Sequence, residues 1–283
     1  SGVFCLDGRA VTPEQHSPSS DRPLDFHFLP DSILIKMTWK LADQRATGVV
    51  DLSDQTRLEI DMDAQRTSPG IAEIRVNGVA VPGFKQEMLG NLLGVSPDIV
   101  EIYRRGSDLV CRYAECAKNQ LTPTVYWSLH TDSEIKAAIL DMRVSVQTST
   151  LGTQPDASFE WYAPSGKIRD FCLPASASQR LSERQSQPLS YLDETLAQKY
   201  RCTTIECAGL QVTPIIHLSD FKPATSSTNN SASLHQKLKL PLLEKGVIRT
   251  ARIRCLLSAT KMTDEQILEQ TFRFFQSVLP LTT

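Results

Sequence analysis

The chain has 283 residues, of which 41% are hydrophobic and 22% charged, and its formal net charge is −2. This composition is typical of a globular protein and excludes a disordered or fibrous chain. No long basic run is present, which argues against a nucleic-acid partner, and no apolar run reaches the length of a membrane span. Residues 1–24 lack the pattern of a signal peptide, and the seven cysteines are odd in number. We therefore expect a cytoplasmic protein with reduced thiols.

Apolar and polar residues alternate along much of the first hundred residues, which is typical of strands with one buried face. Residues 33–41 and 57–63 both show this period of two. Asn77-Gly78 lies between two short apolar runs and tolerates positive φ at both central turn positions, so it predicts a hairpin. In residues 84–93, apolar residues recur every four positions, which predicts a short helix.

The middle of the chain predicts further strands. Residues 100–113 have the pattern of a strand, a turn at Arg105–Asp108 and a second strand. Residues 124–129, 141–147 and 158–164 each predict one more strand, again from their alternating pattern.

Two polar segments predict loops: residues 174–190, rich in Ser, Gln and Arg, and residues 224–233, low in apolar content. Between them and the C-terminus, the pattern predicts a hairpin that turns at residues 244–246. In its second arm, alternate apolar residues are buried, and we expect Arg252 and Arg254 to face outward.

A helix is predicted over residues 263–278. Thr263 and Gln266 have the spacing of a capping box, and two acidic residues follow Thr263 at the positive end of the helix dipole. Its apolar residues lie on one side, so we expect this face to dock on a sheet, and Pro280 ends the helix.

Two stretches of the chain, 91 positions apart, are nearly the same. Residues 111–125 read CRYAECAKNQLTPTV and residues 202–216 read CTTIECAGLQVTPII. A weaker match aligns 142–149 with 251–258 at an offset of 109 positions. We therefore predict an internal duplication, with units over about 100–165 and 190–262. The Thr-Pro pair in each copy is expected at a strand entry, because proline lacks the amide hydrogen that a ladder needs.

Each copy carries a Cys-x4-Cys pattern, Cys111 with Cys116 and Cys202 with Cys207. Four thiolates could bind zinc. On a continuous strand, however, residues five apart point to opposite faces and cannot reach one metal. We therefore expect the thiols to pack in the core, with a disulfide inside each copy as the alternative, and we predict no metal site.

Three residues are candidates for binding a ligand: Glu115, Glu206 and His217. The two glutamates recur at the same place in each copy and could act as a pair if they converge, whereas a solvated outer position is the alternative. His217 follows the second copy, where a structural role is the alternative. Residues 130–134 offer His, Asp and Glu at every second position, but we expect a turn there and no metal.

The sequence contains none of the short motifs that identify nucleotide-binding, hydrolase or zinc-protease sites, so no cofactor is predicted. We predict a mainly β protein, with α+β as the alternative, built of antiparallel sheets from an internal duplication. A C-terminal amphipathic helix docks on the sheet. The expected divisions are an extended segment 1–24, a first β-rich half 25–173, a linker 174–190 and a second half 191–283.

The functional prediction is a non-catalytic binding or scaffold protein. Its predicted partner is a protein, a peptide or an apolar ligand. The alternative is an enzyme or metal-binding protein that uses the repeated Cys and Glu positions.

Overall fold

Antiparallel strands with alternating burial dominate the fold, which confirms the mainly β prediction. The computed structural model describes residues 37–65, 69–88, 98–164, 166–172, 200–222, 225–227 and 232–277. These residues belong to one compact unit, Ser32–Thr283. Within the described ranges, no helix is long and apolar enough to cross a membrane.

The described chain contains seventeen strands and one helix longer than a single turn. In chain order the strands are β1 (Trp39–Ala42), β2 (Arg45–Ser53), β3 (Thr56–Asp63), β4 (Gly70–Val76), β5 (Val79–Ala80), β6 (Lys85–Met88), β7 (Ile99–Arg105), β8 (Asp108–Tyr113), β9 (Leu121–Asp132), β10 (Ala137–Thr148), β11 (Ser158–Ala163), β12 (Lys167–Cys172), β13 (Arg201–Cys207), β14 (Leu210–Ile216), β15 (Thr225–Ser227), β16 (Ala232–Lys237) and β17 (Arg249–Ser258). Helix α1 spans Asp264–Gln276, and a one-turn 3-10 helix spans Leu218–Asp220.

The strands form three sheets. Strands β1 to β5 form a meander in sequence order, and a four-stranded sheet has the order β15-β16-β11-β6. The large sheet has eight strands in the order β12-β13-β14-β17-β10-β9-β8-β7. Its two central strands, β10 and β17, pair antiparallel, and Arg143 lies directly opposite Arg252.

The large sheet has two unlike faces. On the core face, alternate residues of its strands, including Trp127, Val144 and Ile253, are fully buried and form one apolar cluster with residues of the two smaller sheets. Gly48 of β2 approaches this face so closely that a Cβ there would lie 2.7 Å from the Leu129 side chain. We call the opposite side of the sheet the polar face; it carries Tyr126, Asp141, Arg143, Arg252 and Arg254.

Helix α1 docks on a sheet, as the sequence predicts, and it lies on the polar face of the large sheet. Its capping box is present, with the Thr263 side chain accepting from the Gln266 amide. The helix lies over β13, β14 and β17: Thr271 Oγ1 is 3.8 Å from Cys202 Sγ, and the Phe274 ring lies 4.8 Å from the Arg254 guanidinium. The sequence analysis expected Arg252 and Arg254 to face outward, and this is wrong. Both residues lie half-buried beside the helix.

The predicted helix over 84–93 is wrong in its first part, because residues 85–88 are strand β6. Their backbone pairs with β11, and Gln86 accepts the Ile71 amide through its side chain. Burial also alternates there, with Phe84 and Gln86 buried and Lys85 half-buried. Pairing with a distant strand thus overrides an apolar spacing that resembles a helix.

Two predictions for the C-terminal half also need correction. The predicted loop 224–233 contains strand β15 and the start of β16. The predicted hairpin around residues 244–246 keeps its turn, but its arms do not pair with each other: β16 pairs with β11, and β17 pairs with β10 and β14. Burial alternation identifies a strand but not its partner, which explains the error.

The hairpin predicted at Asn77-Gly78 is confirmed, with φ of 52° and 77° at the two central residues. The strand–turn–strand over 100–113 is confirmed by β7 and β8. Residues 33–36, 89–93, 174–190, 228–231 and 278–280, and the segment 1–24, lie outside the described residues, as do the predictions made for them.

The Thr-Pro pairs lie inside strands rather than at strand entries. Pro123 is the third residue of β9 and pairs with Val146, and Pro214 is the fifth of β14 and pairs with Cys255. The ladder from β14 to β13 covers only residues 210–212, so it ends before Pro214. The ladder from β9 to β8 begins at Thr124, one residue after Pro123. Each proline is therefore paired on one side only, and the missing amide hydrogen breaks no ladder to the outer strand.

Candidate functional site

A pocket of about 310 Å³ opens on the polar face at the C-terminal end of α1. We call it the arginine pocket, because four guanidinium groups line it, from Arg105, Arg143, Arg252 and Arg254. Two carboxylates, Asp108 and Asp141, line it as well. The strands place these groups together because Arg105, Asp108 and Asp141 lie in one row across the sheet, with Arg143 and Arg252 in the adjacent row.

The two aspartates pair with two of the arginines. Arg254 makes a bidentate contact with Asp141, with Nε and Nη2 at 2.7 and 2.9 Å from the carboxylate oxygens. Arg143 donates from Nη2 to Asp108 at 3.0 Å. These side chains are largely shielded from water, with exposures of 13% for Arg254 and 15% for Arg143, so the pairs are stronger than ordinary surface ion pairs.

The other two guanidinium groups have weaker carboxylate partners or none. Arg252 Nε lies 3.9 Å from Asp220, and Arg252 Nη1 donates to the Ser277 carbonyl at 2.7 Å, at the C-terminus of α1. Arg105 is exposed and forms no ion pair within the described residues. The pocket therefore carries an excess of positive charge, and burial lowers the pKa of Arg252 more than Asp220 raises it.

Aromatic rings hold three of these guanidinium groups in place. Arg105 and Arg143 lie over the Tyr126 ring at 5.6 and 4.9 Å, and Arg254 lies over Phe274. Stacking of this kind orients a guanidinium while leaving its N–H edge able to donate. The arrangement is suited to an oxyanion, since carboxylate and phosphate oxygens match the arginine fork.

His217, a candidate from the sequence, lies beside this pocket and not in its lining. Its Nε2 is 3.0 Å from the Phe275 carbonyl, and its Nδ1 accepts the Ser219 amide at 3.3 Å, an arrangement that fits a proton on Nε2. Arg252 Nη2 lies 2.9 Å from Nδ1 and 2.8 Å from Nε2. Burial, with a smaller effect of Arg252, lowers the pKa of His217 to about 4.

A serine and an aspartate adjoin His217, but they are not arranged as a catalytic triad. The Ser219 hydroxyl donates to Asp220 at 2.8 Å and lies 2.8 Å from His217 Nδ1. Its single proton is thus directed to the carboxylate, and the histidine acceptor is already engaged by Arg252. A catalytic base would instead accept that proton and be oriented by the aspartate. The cluster links the end of α1 to β17.

A second pocket, of about 390 Å³, lies at the turn between β13 and β14. We call it the turn pocket; Lys167, Glu206, Gly209, Gln211, Ser258 and Lys261 are among its lining residues. Gln211 is 4% exposed, and its Oε1 accepts the Met262 amide at 2.8 Å. Its Nε2 has no hydrogen-bond partner among the described residues.

The structure separates the two candidate glutamates. Glu206 lines the turn pocket, whereas Glu115 is exposed next to the turn between β8 and β9. Because β9 and β14 run antiparallel to each other across the sheet, the two turns lie at opposite ends of it. The glutamates therefore do not converge on one site.

Five cysteines, Cys111, Cys116, Cys202, Cys207 and Cys255, have free thiols, and all of these but Cys116 are buried. Burial raises the pKa of Cys111 and of Cys207 to about 11, so both are neutral thiols near pH 7. The structure describes no group of three or more His, Cys, Asp or Glu side chains arranged to hold a metal ion.

Residues 130–134 do not form a turn throughout, since His130, Thr131 and Asp132 end strand β9. Asp132 instead receives a hydrogen bond from Gln270 of α1 at 2.7 Å. His130 lies 4.0 Å from Asp141, and burial lowers its pKa.

Sequence reasoning selected one residue of the turn pocket, Glu206, and missed the arginine pocket. The only signal for the arginine pocket is the repeat match itself, which aligns Arg143 with Arg252 at the offset of 109 positions. No family model matches the chain, and no curated protein is significantly similar to it in sequence.

Proposed function

We propose that this protein is a non-catalytic binding protein whose arginine pocket takes an anionic group, a carboxylate or a phosphate, of its ligand. The single observation that carries the proposal is the set of four guanidinium groups around one pocket with only two carboxylates among them. An anionic ligand, rather than the apolar ligand considered from the sequence, fits this lining.

Electrostatics favours occupation by an anion. Like charges directly opposite on neighbouring strands repel each other, and Arg143 faces Arg252 in this way. The Arg252 side chain is only 11% exposed, so water screens its charge poorly. An oxyanion between these two guanidiniums would relieve the repulsion and accept several charge-assisted hydrogen bonds.

The proposal of a binding role rather than catalysis is supported by the chemistry near the pocket. His217 lies beside the pocket, and both its ring nitrogens are engaged by the Phe275 carbonyl and Arg252. A pKa of about 4 leaves it a weak base at neutral pH. The two aspartates of the lining are paired with Arg143 and Arg254.

The scaffold itself is proposed to be a duplicated unit, related by a pseudo-two-fold axis at the Arg143–Arg252 pair. Two independent offsets support this. An offset of 109 positions takes Val146 of β10 to Cys255 of β17, and an offset of 91 takes Pro123 of β9 to Pro214 of β14. Val146 pairs with Pro123 as Cys255 pairs with Pro214, so the two sequence matches are consistent with one rotation.

The order of the outer strands supports the same axis. From the centre outward, β10-β9-β8-β7 on one side corresponds to β17-β14-β13-β12 on the other. The correspondence is less close between β8 and β13, since Cys116 bridges Leu121 across four residues whereas Cys207 pairs with Leu210 across two. The turn before β9 and the turn before β14 therefore differ in length.

Isothermal titration and amide-resolved nuclear magnetic resonance with inorganic phosphate and with succinate test the binding proposal. Residues around the arginine pocket should shift saturably. Arg143→Gln should weaken binding about tenfold, since a charge-assisted hydrogen bond is worth about 1.5–3 kcal/mol.

Arg112→Gln is the matched control, because Arg112 lies on the same face but is 53% exposed and pairs with Glu101. It should leave both affinities unchanged. Equal weakening in the two variants, or no saturable shift with either anion, would contradict an anion site here.

A further inference from the structure

We infer that the turn pocket is a second, separate binding site and that it takes a carboxylate group. The inference rests on Gln211, whose buried amide nitrogen is a hydrogen-bond donor without a partner among the described residues. It does not depend on the arginine pocket.

The orientation of the Gln211 amide is fixed by its other atom. Oε1 must face the Met262 N–H, which it accepts at 2.8 Å, so Nε2 cannot exchange places with it. A buried donor left without an acceptor costs about 1–3 kcal/mol. An acceptor group in the adjoining pocket would remove that cost.

The surroundings specify a negatively charged acceptor. Lys167 and Lys261 both line the pocket and are exposed. Their ammonium groups are therefore hydrated in the free protein and accessible to a ligand in the pocket. Glu206 is the single carboxylate among the lining residues. The lining therefore offers two cations and one amide donor, a set that matches a singly charged carboxylate.

The short turn gives the ligand room next to Gln211. Ala208 and Gly209 both have positive φ, 44° and 78°, as a two-residue type I′ turn requires. A Cβ at Gly209 would meet no atom within 4 Å, so the turn is open on that side.

The corresponding corner of the other half is closed. Gln120, 91 positions before Gln211, is exposed in a four-residue turn, and the Thr148 hydroxyl donates to its carbonyl at 2.9 Å. Thr148 also lies 3.2 Å from the Thr153 hydroxyl, and Thr153 bridges Leu243. Only the second half therefore keeps both a pocket and an unpartnered amide.

Titration with sodium acetate, at ionic strength held constant with sodium chloride, tests the inference. The side-chain amide resonance of Gln211 should shift saturably with acetate and not with chloride. Gln211→Glu retains an acceptor for the Met262 amide but replaces the donor with an oxygen, so acetate binding should be lost.

Lys261→Gln provides a second test that does not depend on whether the Gln211 variant folds. Lys261 is exposed, so its replacement should leave the fold intact. It should weaken acetate binding about fivefold, as loss of one charge-assisted contact implies. Lys245→Gln, at an exposed turn outside both pockets, and Arg143→Gln should leave this affinity unchanged.

The results for the turn pocket and for the arginine pocket can be judged separately. If the Gln211 amide fails to respond to acetate, the donor is satisfied in another way and the inference is overturned. An equal response in Lys261→Gln would show that the lysines of the pocket do not help to bind the anion, and it would overturn the inference as well. Either result would leave the arginine pocket proposal intact, since its readout is phosphate binding that depends on Arg143.

Discussion

The two halves of the eight-stranded sheet share strand order and direction but differ in what lies on the polar face. Helix α1 packs over β13, β14 and β17, with Phe275 against Tyr200 at 5.2 Å and Thr271 beside Cys202. On the side of β7 to β10, α1 contacts the end of β9, where Gln270 donates to Asp132, and Arg143, Tyr126 and Asp108 form a polar cluster. The arginine pocket forms at the border between the two halves of the sheet. A difference between two similar halves can therefore create a site.

Removal of the helix anchor should have the largest effect. Phe275 is 6% exposed, and Phe275→Ala should lower the free energy of unfolding by about 3–5 kcal/mol, as is usual for truncation of a buried aromatic. Hydrogen exchange should rise in β13 and β14 far more than in β8 and β9. Leu268→Ala, at a partly buried position on α1, is the control and should cost less. Equal loss of protection in both halves would show that the helix does not stabilise one half in particular.

Acid should weaken the helix-covered half through His217. Its pKa in the folded protein, about 4, lies below the ordinary 6.5, so the unfolded chain binds more protons between these values. Stability is therefore full above about pH 6.5 and falls as the pH drops toward 4, by up to about 3 kcal/mol. Asp220, whose pKa burial raises above 3.8, acts in the opposite sense at the acidic end.

Urea unfolding at a series of pH values measures this dependence. His217→Gln should flatten the slope between pH 6.5 and 4, and His235→Gln, which leaves His217 in place, should keep it. A slope retained in His217→Gln would assign the titration to another group, of which His130 is the first to test, because burial lowers its pKa too.

The two ion pairs of the arginine pocket should differ in strength. Asp141→Asn breaks a bidentate contact with Arg254 and should cost about 1–3 kcal/mol of stability. Asp108→Asn removes a single hydrogen bond to Arg143 and should cost about 1 kcal/mol. Thermal unfolding compares them, and both variants should bind phosphate more tightly because the pocket becomes more positive. Weaker phosphate binding in both would mean that the aspartates orient the arginines for the anion.

The smallest effect is expected at the turns. Ala208 has φ of 44°, a conformation that asparagine adopts more readily than alanine, so Ala208→Asn should stabilise the protein by a few tenths of a kcal/mol. Lys118→Asn, in the four-residue turn of the other half, should change little, since Lys118 has no positive φ. Chemical denaturation midpoints measure both. Destabilisation by Ala208→Asn would indicate that the turn needs the smaller side chain.

The fold class could be predicted because apolar and polar residues alternate along strands such as β3 and β10, and this alternation is a local pattern of the sequence. The helix was found for the same reason, since Thr263 and Gln266 carry a local capping signal. Strand pairing could not be predicted: β16 and β17 are close in sequence yet join different sheets. That choice depends on distant partners, which a single sequence does not display.

The candidate site was predicted less well. Glu206 was chosen for its repetition and does line a pocket, but Glu115 does not, because the turns lie at opposite ends of the sheet. The arginines were expected to be solvated, as alternation alone indicates for Arg252 and Arg254. Their half-burial follows from where α1 docks. That contact joins distant parts of the chain and leaves no local pattern in the sequence.

The pairing of β10 with β17 has a consequence for synthesis of the chain on the ribosome. β10 ends at Thr148, and its partner does not begin until Arg249. At about 5–20 residues per second, an apolar edge that includes Met142 and Val144 waits about 5–20 seconds for its neighbour. Such an edge can pair with another nascent chain. We therefore expect a fragment that ends before β17 to aggregate when it is expressed alone. We also expect the full chain to depend on chaperones during its translation.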